Sequence, residues 1–143
     1  MTVRVRRVFE FDADPETVWE FIADPSKRAD AISVVERYEV DEDTGGATWH
    51  VRLPIPLVNS TARVETEDVA RDPPEHVKFV GKSSVLRVTG EHTIEPTESG
   101  TRLVNEFVVD GRVPGVERFF KRNLDTELEN LEGALRRSVE GTD

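Results

Sequence analysis

The spacing of apolar residues along the chain switches between two periods, and each switch marks an element boundary. Val3, Val5 and Val8 stand among Arg4, Arg6 and Arg7 and lead to Phe9 and Phe11. This alternation predicts a strand with an irregularity near Arg6-Arg7. Asp14-Pro15 then opens a helix, because the Asp14 carboxylate can accept from free amides of the first turn while Pro15 is preset for the first helical position. Val18, Trp19 and Ile22 give that helix its apolar face, with Phe21 beside it. Asp24-Pro25 repeats the start signal, so a second short helix from Ser26 to about Ala31 follows almost without a linker.

From Ser33 the period becomes two. Val34, Tyr38 and Val40 mark a strand, Thr44-Gly45-Gly46 a hairpin turn, and Ala47, Trp49, Val51 and Leu53 the inner face of the next strand. Pro54-Ile55-Pro56 interrupts the ladder, since proline has no amide hydrogen to donate. Val58, Ser60, Ala62, Val64 and Thr66 alternate with polar neighbours up to the turn Arg71-Asp72-Pro73-Pro74. Val77-Phe79 reads as a short strand and Gly81-Lys82-Ser83-Ser84 as a loop. Leu86, Val88, Gly90, His92 and Ile94 share one face of a strand, and Leu103, Asn105, Phe107 and Val109 share one face of the last.

Gly111-Arg112-Val113-Pro114-Gly115 ends the alternation. Beyond it, Val116, Phe119, Phe120, Leu124, Leu128, Leu131, Leu135 and Val139 recur at three- and four-residue spacings. They form one apolar stripe on a helix from about Val116 to Val139. At 1.5 Å per residue it is about 36 Å long, enough to cross a small domain. The predicted order is one strand, two short helices, six strands joined by tight turns and one long amphipathic helix. The fold class is therefore α+β, and residues 1–143 read as a single domain.

That order resembles the START-like (helix-grip) superfamily, and within it the polyketide cyclase/dehydrase and lipid-transport branch (SRPBCC). The resemblance spans essentially the whole chain. It is carried by Phe11-Asp12-Ala13-Asp14-Pro15-Glu16-Thr17-Val18-Trp19-Glu20-Phe21-Ile22-Ala23-Asp24-Pro25 and by Asp110-Gly111-Arg112-Val113-Pro114-Gly115 leading into Phe119-Phe120 and Leu124 to Leu135. It implies a seven-stranded antiparallel sheet wrapped around the last helix, with a cavity between them for a lipid, polyketide, quinone or similar ligand. Superfamily members include carriers, sensors, chaperone-like quinone binders and a minority of enzymes, so the fold alone does not select an activity.

On this expectation Trp49, Val51, Leu53, Phe79, Val88, Phe107, Phe120 and Leu124 are the candidate apolar lining, and His92, Asn105 or Asn123 the polar groups that orient a ligand. Plain core packing is the competing role for each of them. Access to the pocket is expected at Pro54–Leu57, Lys82–Ser84 and Gly111–Gly115, where Gly and Pro gather.

Composition narrows the chemistry. The chain carries 29 acidic against 19 basic residues, a formal net charge of −10, which repels nucleic acid and anionic membranes. Fifteen of the basic residues are Arg and four are Lys, a balance that suits hydration in concentrated salt and suggests a halophilic setting. The absence of cysteine excludes disulfides, thiolate metal sites and a cysteine nucleophile. No leader or membrane-spanning run is apparent, which gives a cytoplasmic expectation.

Catalytic signals are sparse. Gly81-Lys82-Ser83 lacks the upstream glycine of a phosphate loop, and Asp41-Glu42-Asp43-Thr44-Gly45 lacks the acidic twelfth position of a calcium loop. Neither metal nor cofactor is expected. His92, inward by parity, is the one candidate acid/base. Its possible carboxylate partners, Glu106 and Asp110, have outward parity. Three functions follow: a carrier for an apolar or amphipathic small molecule, which is preferred; a cyclase- or dehydratase-like enzyme using His92; and an accessory module that binds a partner protein.

Overall fold

The computed structural model describes residues 2–41, 43–44, 46–53 and 61–140. The period-two segments form β1 (Thr2–Phe11), β2 (Val35–Val40), β3 (Ala47–Arg52), β4 (Thr61–Asp72), β5 (His76–Lys82), β6 (Leu86–Pro96) and β7 (Thr101–Gly111). All pair antiparallel in one seven-stranded sheet of order β1-β7-β6-β5-β4-β3-β2. The helices are α1 (Pro15–Ile22), α2 (Pro25–Ala31) and α3 (Val116–Val139). β1 and β2 are opposite edges of the sheet, so α1 and α2 carry the chain from one edge to the other. The sheet wraps around α3, as the helix-grip expectation requires.

Each helix starts where its chemistry dictates. Asp14 Oδ1 accepts from the Thr17 amide at 2.9 Å and the Thr17 hydroxyl at 2.7 Å, and Asp24 Oδ1 accepts from the Ser26 amide at 2.9 Å. α3 follows Gly115, whose φ of 95° lies in the left-handed region open to glycine without strain. Its stripe then buries Val116, Phe120, Leu124, Leu128, Leu131 and Leu135. Each such side chain contributes roughly 1.5–3 kcal/mol by leaving water.

Four details differ from the sequence expectation. β1 pairs with β7 without interruption from Thr2↔Asp110 to Phe11↔Thr101, so no irregularity occurs at Arg6-Arg7. Arg7 instead holds the inner-face parity on an edge strand and reaches Asp125 of α3, while Val8 turns outward and is exposed. β5 is longer than Val77–Phe79: Gly81 pairs with Val88 and Lys82 with Arg87, so those two residues are strand rather than loop. Arg71 and Asp72 belong to β4, which leaves a tighter turn before β5. Trp19 is only partly buried, whereas Phe21 is in the core. The expected Pro54-Ile55-Pro56 break and the positions of Val58 and Ser60 lie outside the described residues.

Two inner-face positions without side chains shape the core. A Cβ on Gly90 would sit 2.2 Å from Cε1 of Phe79, so the Phe79 ring lies directly over the bare β6 backbone. At Gly81 a Cβ would meet Val88 Cγ1 at 2.7 Å and Val64 Cγ1 at 2.9 Å. Both glycines are pieces of close packing in strand interiors, where glycine otherwise weakens a sheet. Gly90→Ala is expected to cost about 1–3 kcal/mol by overpacking. Combined with Phe79→Leu it should cost less than the sum of the single changes, which urea unfolding of the double-mutant cycle will measure.

Candidate functional site

The first half of α3 stands off from the inner faces of β3, β4, β6 and β7, and an apolar depression lies between them. Trp49, Val51, Val88, Phe107, Phe120 and Leu124 line it, six of the ten residues proposed from sequence as ligand-binding. Val64, Leu86 and Val109 extend the sheet side of the wall, and Ile32, Val34 and Val35 supply a wall from the α2–β2 connection and the start of β2. The cavity volume of the depression is about 40 Å³. Small-molecule pockets typically measure roughly 300–1,000 Å³. Side chains thus fill most of this interior, and a larger ligand requires the wall to move.

The remaining four candidates lie outside the lining. Leu53 is fully buried in the core. Phe79 packs against Trp49 with centroids 5.5 Å apart and edge-on to Phe107 at 6.0 Å, beside two lining side chains. His92 and Asn105, directly paired across β6 and β7, are completely buried beyond Phe79 and Phe107. Asn123 spends its amide on its own helix, donating to the Phe119 carbonyl at 2.7 Å.

The His92 tautomer follows from its neighbour. Asn105 Nδ2 faces the carbonyls of Arg7 and Leu103 at 3.3 and 3.4 Å, which turns Oδ1 towards His92 Nδ1 at 2.7 Å. An amide oxygen only accepts, so Nδ1 carries the proton and Nε2 is a bare lone pair. Burial pushes the imidazole pKa down to about 3, outweighing the Asn105 hydrogen bond, and the Arg28 charge lowers it further. His92 is therefore neutral across the physiological range. Glu106 faces the opposite side of the sheet, where it pairs with Arg4 at 3.0 Å, and Asp110 lies beside Thr2. The carboxylate partners considered for His92 are thus on the other face.

Two buried charges near the site were missed. Arg28 on α2 is 4% exposed, with its guanidinium 5.0 Å from the Phe79 centroid, and it donates to Asp68 Oδ1 at 2.6 Å and to the Ile22 carbonyl at 3.0 Å. Asp68 continues the inner parity of Ala62, Val64 and Thr66, just before a bulge between Asp68 and Ala70. That parity was the available signal. Glu127 lines the depression and accepts from the Ser33 and Val34 amides at 3.0 and 3.1 Å, the Ser33 hydroxyl at 2.7 Å and Asn130 at 2.9 Å. Its signal was a lone acid within the apolar stripe, three residues after Leu124 and four before Leu131.

The other histidines have partners of their own: His50 meets Glu39 at 3.0 Å, and His76 meets Glu91 at 2.7 Å. Among the described residues no cluster of metal-ligating side chains occurs, and no helix is long and apolar enough to cross a membrane. Of the segments expected to control access, 82–84 lie just before the lining residue Leu86 and 111–115 just after the lining residue Val109, and the Arg112 amide donates to the Val85 carbonyl at 2.8 Å. Residues 54–57 lie outside the described residues.

The sequence profile described as "Polyketide cyclase / dehydrase and lipid transport" matches residues 2–136, and the chain belongs to that family. No curated protein matches the sequence. A conserved protein from Geobacillus kaustophilus superposes with a TM-score of 0.77 at 15% identity, covering 97% of this chain and 96% of its own. A START superfamily protein from Mycobacterium smegmatis gives 0.72 at 16% identity, covering 96% and 97%. The Zhui aromatase/cyclase from Streptomyces sp. R1128 gives 0.71 at 19% identity, covering 96% of each chain. At these identities the likeness is one of fold.

The buried imidazole makes a pH prediction. The folded protein keeps His92 neutral down to about pH 3, whereas the unfolded chain takes up that proton below about pH 6.5. Stability is then fully present above pH 6.5 and declines as the pH falls towards 3, by up to about 1.4 kcal/mol per pH unit for this one proton. His92→Gln, which retains a donor for Asn105, should flatten the slope between pH 6.5 and 4.5. Urea unfolding at half-unit pH steps in both proteins measures the difference.

Proposed function

We propose that the protein binds an apolar or amphipathic small molecule (a lipid, quinone or polyketide-like compound) between its sheet and the first half of α3. The observation that carries this reading is the apolar depression, walled by Trp49, Val51, Val88, Phe107, Phe120 and Leu124, between the sheet and the first half of α3. Membership of a family described by cyclase, dehydrase and lipid-transport members supports it. The ligand's apolar body lies against these side chains, and the wall formed by 32–35 and the start of α3 moves outward to admit it. Glu127 joins those two walls and keeps them closed in the absence of cargo.

A cyclase- or dehydratase-like activity with His92 as acid/base is the second reading, favoured by the fold similarity to the Zhui aromatase/cyclase. It is weaker, because His92 sits beyond Phe79 and its candidate carboxylates face away. A carrier needs no such group.

Leu124→Trp tests the binding reading by filling the depression from the helix side. Titration with the neutral apolar dye Nile red should show saturable fluorescence enhancement in the natural protein and roughly tenfold or greater weakening in the variant, a loss of about 1.4 kcal/mol of binding. Native mass spectrometry of protein from its own host should show a small-molecule adduct that the variant lacks. Absence of both dye binding and adduct in the natural protein overturns the proposal.

A further inference from the structure

Among the described residues, three buried side-chain nitrogens have no hydrogen-bond partner: Arg28 Nε, Trp49 Nε1 and His92 Nε2. They come from α2, β3 and β6, yet all three side chains pack on the ring of Phe79. The Arg28 guanidinium lies 5.0 Å from its centroid, the Trp49 ring 5.5 Å away, and the His92 ring 6.3 Å away and nearly parallel. The ring they surround rests on the bare backbone of Gly90. A buried polar atom without a partner is costly, and here each of the three belongs to a side chain packed on one apolar ring.

The three atoms have defined polarity. Arg28 Nε and Trp49 Nε1 are N–H donors, and His92 Nε2 is an acceptor, because Asn105 Oδ1 holds the proton on Nδ1. The cluster carries no uncompensated charge, since Arg28 is paired with Asp68 at 2.6 Å. Together the three atoms offer two donors and one acceptor, the complement of a neutral hydroxyl. A hydroxyl accepts through two lone pairs and donates one proton. A carbonyl or ether oxygen leaves Nε2 unpaired, an ammonium leaves both N–H groups unpaired, and a carboxylate adds an unbalanced charge.

We propose that the seat of the Phe79 ring is a binding subsite for a hydroxyl-bearing ring, with Phe79 as its displaceable occupant. The proposal rests on the binding function above and specifies its ligand class: an apolar molecule with a neutral hydroxyl on a flat or alicyclic ring. The molecule enters hydroxyl end first. Its ring takes the place of Phe79 over Gly90, and the rest extends past Trp49 and Phe107, which border both the seat and the apolar depression. Phe79 covers the polar groups when no cargo is present.

The test compares 2-naphthol with 2-methylnaphthalene, which differ by a hydroxyl in place of a methyl. Each is titrated into 15N-labelled natural protein and into Phe79→Ala, which needs no ring displacement. In Phe79→Ala, 2-naphthol should bind roughly tenfold or more tightly than 2-methylnaphthalene, because a site that hydrogen-bonds a hydroxyl rejects the analogue lacking it. The Trp49 indole N–H and His92 Nε2 resonances should shift with 2-naphthol alone. Adding His92→Leu should erase most of the preference while 2-methylnaphthalene binding persists. The natural protein should show the same preference at lower affinity, and it decides the question if Phe79→Ala does not fold. Equal binding of the two compounds, with the Trp49 and His92 signals unmoved, overturns the hydroxyl subsite and leaves the apolar binding reading standing. Binding of neither compound overturns both.

Discussion

The structure depends on how much of a sheet one helix can cover. Seven strands about 4.8 Å apart make an inner face close to 30 Å wide, whereas a helix with its side chains is about 10–12 Å across. α3 therefore cannot shield the sheet alone. α1 packs on β6 and α3, and α2 packs on β2, β3 and α3. Along the second half of α3 the cover is complete, and Leu128, Leu131 and Leu135 are all but inaccessible. Among the described residues, side chains of β3, β4 and the start of β6 line the gap that remains. The depression lies there as a consequence of coverage, and Trp49, Phe107 and Phe120 are large because they reach across it.

Buried charges fix the covering pieces at the rim of this gap. Arg28 ties α2 to Asp68 on β4, and Glu127 ties α3 to the amides of Ser33 and Val34. A buried ion pair adds little stability over good apolar packing, but leaving one partner alone costs roughly 3–5 kcal/mol. Docking α2 in another register would strand Arg28 or Asp68, so the pair penalises misplacement more than it rewards the native state. Arg71 extends the network, donating to Asp68 Oδ2 at 2.7 Å and to the Ala23 carbonyl at 2.9 Å while stacking over Trp19. The partial exposure of Trp19 follows: its ring is a platform for a cation at the surface.

The architecture was largely legible because its cues are local. Two Asp-Pro starts gave α1 and α2, parity gave the inner face of β6 and β7, and the stripe gave α3 from Val116 to Val139. Inward placement of His92 and Asn105 followed from parity alone. What parity cannot supply is depth along a strand, and this is why His92 and Asn105 lie beyond the depression although they share a face with Val88 and Phe107. The role of Arg28 was illegible for a different reason. A seven-residue helix without an apolar face gives no hint that one of its charges is buried, and its partner lies forty residues away. Nothing local marks the role of Gly90 either, because the Phe79 ring that lies across it comes from the neighbouring strand.

The placement of β1 has a consequence for biosynthesis. Within the sheet, the first strand to be synthesised pairs with the last, with Thr2 opposite Asp110. Until β7 emerges, β1 has no neighbour and β6 has an open border, and both expose backbone groups that attract other chains. Such distant pairing is slow, because the ordering cost of a long intervening segment precedes any gain. Arg4, Arg6, Arg7 and Glu10 place charge along the waiting segment, which guards it against premature association for as long as translation lasts.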